Sequence, residues 1–186
     1  NKRYLFASEE IKCCVPAKIY NGRCIMKYKV QRKQFVSKHC FVCGTENDES
    51  LKTKFYELEN KELMSISYPT PTHQSYPDRI HGGIISAILD EAIGRAIMIE
   101  EPDSWGVTVE LNLKYKKPVP LDKPVKAVAR ITRNTRLLFE GTGEILLEDG
   151  TIAATGYAKY YKMKIDKIVE EMGHEDELIV DDTVKT

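Results

Sequence analysis

The chain has 186 residues, of which 42% are hydrophobic, and this is enough for one globular core with appendages. Its 28 basic and 28 acidic residues balance, so no overall field draws it toward nucleic acid or an anionic membrane. No apolar stretch approaches the roughly 20 residues of a membrane-spanning helix, and the first residues lack the apolar region of a secretory signal. We therefore expect a cytoplasmic protein that binds neither nucleic acid nor membrane.

Residues 1–39 are interpreted as an N-terminal extension that contains a β-hairpin. Asn21-Gly22 is typical of two-residue hairpin turns, and it separates strand-like segments at 16–20 and 23–31. Several basic residues lie in and after the second segment: Lys27, Lys29, Arg32, Lys33 and Lys38. They could bind phosphate groups, but lysines are also a common protection of exposed edge strands, and we favour that interpretation.

Five cysteines without a secretory signal predict reduced thiols rather than a disulfide framework. Cys40 and Cys43 form a C-x-x-C pair preceded by His39, and one upstream cysteine (Cys13, Cys14 or Cys24) would complete four zinc ligands. A structural zinc site usually shows a second paired set of ligands at a defined spacing, which is missing here. The sequence therefore favours a pair without a metal.

Two strands are predicted next, at 51–58 and 63–68, joined by a turn at 59–61. The following segment, 69–77, is rich in proline and predicts a loop. It carries Gln74 and Ser75 shortly before His81-Gly82-Gly83. A loop in this position could supply side chains to a ligand pocket.

The stretch 81–99 predicts one long buried helix. Its apolar residues come in pairs that repeat every four positions, which is the pattern of a helix that buries a broad face. The pairs are Ile84 and Ile85, Ile88 and Leu89, Ala92 and Ile93, and Ala96 and Ile97. Because the flanking segments have a period of two instead, we expect a sheet to wrap this helix.

Asp90 interrupts that apolar helix, on a stripe that it shares with Ser86 and Gly94 at spacings of four. Small neighbours allow a ligand or another chain segment to come close. A carboxylate on a buried helix is costly to desolvate unless it is hydrogen-bonded or placed for chemistry, and burial raises its pKa. The alternative is that Asp90 points to solvent beside Glu91, which would pair with Arg95 one turn later.

Two glycines open the helix, and their N–H groups lie at the positive end of the helix dipole. Such a site suits an oxyanion or a carbonyl oxygen, although glycine also favours an ordinary tight turn. His81 could act as a base or electrophile, but a histidine at this place more often hydrogen-bonds its own turn and would hold the Gly82 N–H in position. Gly82 and Asp90 lie about 12 Å apart along a helix, so one copy cannot bring both to one carbonyl. If both act on one substrate, the site is shared across a two-fold dimer.

Four more strands are predicted, at 105–116, 125–133, 136–148 and 151–162, before a charged tail at 164–186. Alternation in the first strand places Val107, Val109, Leu111, Leu113 and Tyr115 on one face. Thr108 falls on the other face. If the apolar face packs on the helix, Thr108 points away from Asp90, unless the strand twists or pairs across a dimer.

The segments HGGIISAILDEA and WGVTVELNLKYKKPVPL resemble the hotdog-fold acyl-CoA thioesterases of the phenylacetate-degradation (PaaI-like) type. The resemblance covers residues 40–163 and implies an α+β hotdog fold, a long central helix wrapped by a curved antiparallel sheet. Carried over, Asp90 is the general base or nucleophile, the Gly82 N–H polarises the thioester carbonyl, and Thr108 places the acid or water. Several relatives carry an asparagine shortly before the histidine, where this chain has Gln74 and Ser75.

The resemblance implies hydrolysis of acyl-CoA thioesters at a dimer interface, in a homodimer or a dimer of dimers. Asp90, Gly82, Thr108 and His81 would form the catalytic group, with substrate contacts from Gly83, Ser75, Gln74, Ser86 and Glu91. Coenzyme A enters as part of the substrate, and neither metal nor other cofactor is expected. Related proteins often have a Cys-Phe-x-Cys-Gly segment that matches 40–44, which we interpret as structural.

Two alternatives remain at this stage. A non-catalytic acyl-CoA binding module would keep the pocket without turnover. A hydratase acting on an enoyl thioester would use His81 with Asp90 of a partner copy as its proton shuttle. The missing Gly-x-Ser-x-Gly elbow argues against a serine hydrolase.

Overall fold

The computed structural model describes residues 28–165 and 167 in full, and the backbone of 10–13, 19–20, 23–24, 26–27 and 178–179. Within this part of the chain one long helix, α1 (Gly82–Arg95), continues into a 3-10 turn at Ala96–Ile99. The predicted helix at 81–99 is therefore confirmed. Its apolar face is fully buried, through Ile85, Ile88, Leu89, Ala92 and Ile93.

The strands of the structure are β1 (Glu10–Cys13), β2 (Ile19–Tyr20), β3 (Arg23–Cys24), β4 (Met26–Lys33), β5 (Val36–Ser37), β6 (Lys54–Leu58), β7 (Leu63–Ser67), β8 (Ser104–Tyr115), β9 (Val125–Asn134), β10 (Leu138–Leu146), β11 (Ile152–Lys164) and β12 (Leu178–Ile179). Eight of them form one antiparallel sheet in the order β1-β4-β6-β7-β9-β10-β11-β8. The helix packs against β7 to β11. The expected α+β architecture, a sheet wrapped around one helix, is confirmed.

The helix and sheet approach closely because glycines face the helix from the sheet. A Cβ at Gly141 would lie 2.7 Å from Ile93 Cγ2, and one at Gly143 would lie 2.9 Å from Ile93 Cγ1. These distances are shorter than side chains tolerate. Glycine at these positions therefore lets α1 pack closely on β10, and Ile93 occupies the volume that a side chain there would need.

Strands of the N-terminal segment also take part in the fold. β2 and β3 pair across Asn21-Gly22 in the register Tyr20 with Arg23, so the predicted hairpin is present, although residues 16–18 of its first strand lie outside the described part. β4 pairs with β6 and β1 with β4, so the main sheet extends into residues 10–33. From the tail, β12 pairs with β5. The domain boundaries at 39/40 and 163/164 stay predictions.

The predicted apolar face of β8 is wrong, because a β-bulge breaks its alternation. Thr108 lies opposite Tyr160 and Glu110 opposite Lys159, so Val109 is an extra residue between two consecutive pairs. After the bulge Leu111 packs on the core, whereas Val107 and Val109 are 45% and 59% exposed. The bulge turns Thr108 to the same face as Leu111, toward the helix.

No helix in the part of the chain that the structure describes combines the length and the hydrophobicity that a membrane span requires.

Candidate functional site

The carboxylate of Asp90 is partly buried and receives hydrogen bonds from two hydroxyl groups. Thr108 Oγ1 donates to it at 3.0 Å (Oδ1) and 3.2 Å (Oδ2), and Tyr160 Oη donates to Oδ1 at 3.1 Å. Burial raises the pKa of Asp90 above its ordinary value, while the hydrogen bonds from Thr108 and Tyr160 act in the opposite direction. The result is a positioned carboxylate with raised basicity, as a general base or nucleophile requires.

Tyr160 is a site residue that the sequence analysis missed. Its side chain is 1% exposed and stacks on Phe139, with ring centroids 4.8 Å apart. A Cβ at Gly94 would lie 3.1 Å from Tyr160 Cε1, so the small residue on the Asp90 stripe makes room for this ring. The stripe of small residues was the available indication of a close neighbour, but sequence could not tell Tyr160 from Tyr161 as that neighbour.

At the start of the helix, Ser86 and Tyr115 hold the first turn. Tyr115 Oη donates to the carbonyl oxygen of Gly82 at 3.0 Å and lies 2.7 Å from Ser86 Oγ. Ser86 Oγ donates to the same carbonyl oxygen at 3.0 Å. Strand β8 thus contacts α1 at both ends of the candidate site, through Tyr115 at the first turn and Thr108 at Asp90.

His81 caps the helix. Its Nδ1 accepts the N–H of Gly83 at 2.9 Å, and its carbonyl oxygen accepts the N–H groups of Ile84 and Ile85. The hydrogen-bonding role expected for His81 is therefore what the structure shows, and the Gly83 N–H is occupied by it. The Gly82 N–H has no acceptor among residues 28–165, which leaves it available to a ligand at the positive end of α1.

The loop before the helix has its own internal support. His73 is buried, with Nδ1 accepting the N–H of Thr70 at 2.8 Å and Nε2 at 2.9 Å from the carbonyl oxygen of Glu49. Its carbonyl oxygen accepts the N–H of His81 at 3.0 Å, so the loop fixes the residue that caps α1. Gln74 and Ser75 are exposed, and Gln74 Oε1 accepts the N–H of Asp78. Their contact with substrate stays a prediction.

Glu91 does not join Asp90. Its Oε1 accepts a hydrogen bond from Arg95 Nε at 2.6 Å, as the alternative interpretation of the sequence expected. The guanidinium of Arg95 is buried and lies over the ring of Phe55 at 4.4 Å from the centroid. A role of Glu91 in substrate binding stays a prediction. In this structure its carboxylate pairs with Arg95.

The candidate site is therefore in two parts on one helix. Gly82 and Asp90 are separated by eight residues, a distance of about 12 Å along the axis. Both parts adjoin β8, which forms one edge of the main sheet and exposes Val107 and Val109. An edge strand offers unpaired backbone groups to a partner strand.

Part of this chain is similar in sequence to thioesterases. Residues 78–154 match the family model described as the thioesterase superfamily. The acyl-coenzyme A thioesterase THEM4 of Mus musculus is 27% identical over 114 residues, which cover 61% of this chain and 48% of THEM4. The chain spans about half the length of the curated relatives that it matches.

Solved structures show the same fold. A crystal structure of a thioesterase superfamily protein matches with a TM-score of 0.61 at 23% identity, covering 67% of this chain and 64% of that chain. The E. coli PaaI protein from the phenylacetic acid degradation operon matches with a TM-score of 0.55 at 14% identity, covering 61% and 80%. The predicted hotdog fold is confirmed by these likenesses.

Proposed function

We propose that this chain, whose residues 78–154 match the thioesterase superfamily model, hydrolyses acyl-CoA thioesters to a free acid and coenzyme A. One observation carries the proposal. A partly buried Asp90 carboxylate, held by Thr108 and Tyr160, lies on the same helix whose first N–H group, that of Gly82, has no acceptor within residues 28–165. A base and an electrophilic N–H group are what acyl transfer to water needs.

The proposed reaction begins with the thioester carbonyl oxygen at the Gly82 N–H. This contact, at the positive end of the helix, stabilises negative charge that develops on the oxygen during attack. Asp90 takes a proton from water, whose oxygen bonds to the carbonyl carbon. The C–S bond then breaks, and the leaving thiolate takes up a proton as coenzyme A. Direct attack by the Asp90 carboxylate is the second route, through an anhydride that water hydrolyses.

We further propose that each site is shared between two copies in a homodimer, or in a dimer of such dimers. The separation of Gly82 and Asp90 supports this, because a two-fold axis can bring Gly82 of one copy to Asp90 of the other. The exposed edge at β8 offers a surface for such pairing. The substrate class that we propose is acyl-CoA, as in the name of the relative THEM4, an acyl-coenzyme A thioesterase, and the location that we propose is the cytoplasm.

The deciding experiment is release of free coenzyme A from short-chain, medium-chain, long-chain and aryl acyl-CoAs by wild type and Asp90→Asn. We expect turnover on at least one substrate and a loss of at least about a hundredfold in the variant, on the order of 3 kcal/mol of transition-state stabilisation. Asp103→Asn is the matched control, since Asp103 is exposed and should leave the rate unchanged.

Two other outcomes would replace the proposal. Binding of acyl-CoA without release of thiol in wild type would make the chain a binding module. Formation of a hydroxyacyl-CoA from an enoyl-CoA, dependent on His81 and Asp90, would make it a hydratase.

A further inference from the structure

A second group of reactive side chains lies on another face of α1. The Sγ atoms of Cys40 and Cys43 and a carboxylate oxygen of Glu91 all lie within 4.8 Å of one another. Glu91 follows Asp90 directly, so its side chain leaves the helix about 100° away from that of Asp90. We propose that Cys40, Cys43 and Glu91 bind a zinc ion, which fixes the turn at 40–44 to the central helix.

The turn is shaped to present the sulfur atom of Cys40 as an acceptor. The N–H of Val42 donates to Cys40 Sγ at 3.3 Å, and the N–H of Gly44 donates to the carbonyl oxygen of Cys40 at 2.7 Å. A Cβ at Gly44 would lie 2.3 Å from that carbonyl oxygen, so only glycine fits the turn. An N–H donor aimed at the Cys40 sulfur favours the thiolate of that residue, which is the form that binds a metal.

The turn is also held firmly by the segment just before β6. The N–H of Leu51 donates to the carbonyl oxygen of Phe41 at 3.1 Å, and the N–H of Thr53 donates to that of Val42 at 3.0 Å. Cys43 is 1% exposed, whereas Cys40 is partly exposed. The three ligand atoms therefore come from a rigid turn and a rigid helix, and the side of Cys40 leaves access for a water molecule as fourth ligand.

Charge balance favours a divalent cation here. The buried Arg95 donates to Glu91 at 2.6 Å and its Nη2 lies 3.5 Å from Cys43 Sγ. With two thiolates and one carboxylate, the group carries three negative charges, and Arg95 neutralises one of them. A divalent ion neutralises the other two negative charges. Buried charges need such compensation because their removal from water is costly. Thiolate ligands select zinc over the harder magnesium and calcium ions.

The sequence did not show this site because its third ligand comes from another segment. A second C-x-x-C or His pair was expected for zinc and is missing, whereas Glu91 lies 48 positions after Cys43. This three-residue set includes the helix and differs from the zinc interpretation with His39 and an upstream cysteine, whose side chain lies outside the described residues. The site is distinct from the one proposed for hydrolysis, because Glu91 and Cys43 are bound by Arg95, whereas the Asp90 carboxylate is bound by Thr108 and Tyr160.

The test is metal content and spectroscopy of the full chain. We expect about one zinc per chain by elemental analysis after purification without added chelator, and cobalt substitution should produce sulfur-to-cobalt charge-transfer absorption. Cys40→Ser and Cys43→Ser should each lose the metal and that absorption, and Glu91→Gln should weaken zinc affinity about tenfold or more. Cys24→Ser is the matched cysteine control and should keep one zinc. Asp90→Asn should keep it as well, which separates this proposal from the hydrolase.

A second measurement uses wild type and does not depend on how a variant folds. Alkylation of thiols, mapped to residues by mass spectrometry, should label the partly exposed Cys40 only after zinc is removed by a chelator, and removal should lower Tm. A Cys40–Cys43 disulfide in the purified protein would overturn the proposal. So would full labelling of Cys40 before chelation, or retention of zinc by both serine variants.

Discussion

The hydroxyl oxygen of Tyr160 lies 2.8 Å from the backbone carbonyl oxygen of Asp90 and 3.1 Å from its Oδ1. One buried donor thus fixes both the helix at that turn and the carboxylate that the turn presents. Asp90 in return raises the pKa of the Tyr160 hydroxyl, after burial of that group as the larger cause. The tyrosine therefore stays protonated and acts as a donor throughout the working pH range.

Replacing Tyr160 with phenylalanine should weaken the base without removing it. The ring and its stacking on Phe139 remain, but the carboxylate loses a donor that favours its charged form, so the pKa of Asp90 rises further. We expect the acid limb of the pH–rate profile to move to higher pH and kcat/KM at neutral pH to fall about tenfold, in line with one hydrogen bond to a charged group. Tyr161→Phe is the control, since Tyr161 is 45% exposed. An unshifted acid limb in Tyr160→Phe would contradict the assigned role.

Asp90→Asn should be more stable than wild type at neutral pH. Because the pKa of Asp90 is raised by folding, the folded state holds the proton to higher pH than the unfolded state. Wild type therefore loses stability as pH rises through the window between the unfolded and folded pKa values, and the loss is complete above it. Asparagine does not titrate, so its Tm advantage should be present at pH 7 and vanish below the ordinary aspartate pKa of about 3.9.

Thermal unfolding followed by circular dichroism across this pH range would measure the effect. Asp103→Asn serves as the comparison, because that carboxylate is exposed. A Tm difference between wild type and Asp90→Asn that does not change with pH would show that the effect is one of packing rather than of ionisation.

Local sequence patterns were sufficient to predict the helix and the hairpin. The pairs of apolar residues every four positions identified the helix, and Asn21-Gly22 identified a hairpin whose strands pair across it. Both are local features, since the residues that specify them are neighbours in sequence. The resemblance then pointed to Asp90, Gly82 and Thr108, and the structure places Thr108 against Asp90.

Contacts between residues that are far apart in the chain could not be predicted from the sequence. The bulge at Val109 depends on how β8 registers with β11, and it reverses the side on which Thr108 lies. The contact of Tyr160 with Asp90 joins residues 70 positions apart, and Glu91 meets the Cys40–Cys43 turn only in the folded chain. Each of these is set by tertiary packing, which period-two and period-four patterns do not encode.

Gly106→Ala should destabilise the protein and disturb the site together. A Cβ at Gly106 would lie 2.6 Å from Phe139 Cζ and 3.0 Å from Tyr160 Cδ1, and both rings are buried and stacked on each other. We expect a loss of about 1–3 kcal/mol in the free energy of unfolding, as for overpacked cores. Gly82→Ala is the stability control, because its Cβ would meet nothing nearer than 3.7 Å. Urea unfolding of the two variants would measure the difference, and equal stability would contradict the packing described here.

Gly82→Pro should remove the N–H group that we assign to the thioester carbonyl while keeping the helix. Gly82 is the first residue of α1, where proline fits, and His81 before it has the extended backbone that proline requires (φ −63, ψ 139). We expect an unchanged Tm and a fall in kcat of about 10²–10³, the usual effect of losing one oxyanion donor. Gly82→Ala, which retains the N–H, should keep much more activity than Gly82→Pro.

Mixing two inactive variants should restore activity if the site is shared between copies. In a mixed dimer of Gly82→Pro and Asp90→Asn, one site would receive the wild-type Gly82 N–H from one copy and the wild-type Asp90 from the other. The second site would carry both changes. Random pairing of equal amounts should therefore recover about a quarter of the wild-type rate.

Co-expression of the two variants with different affinity tags, followed by purification on both tags in turn, isolates the mixed dimer, which should show about half of the wild-type rate. If the mixed dimer is as inactive as its parents, Gly82 and Asp90 act within one copy or on different substrate groups, and the shared site is wrong.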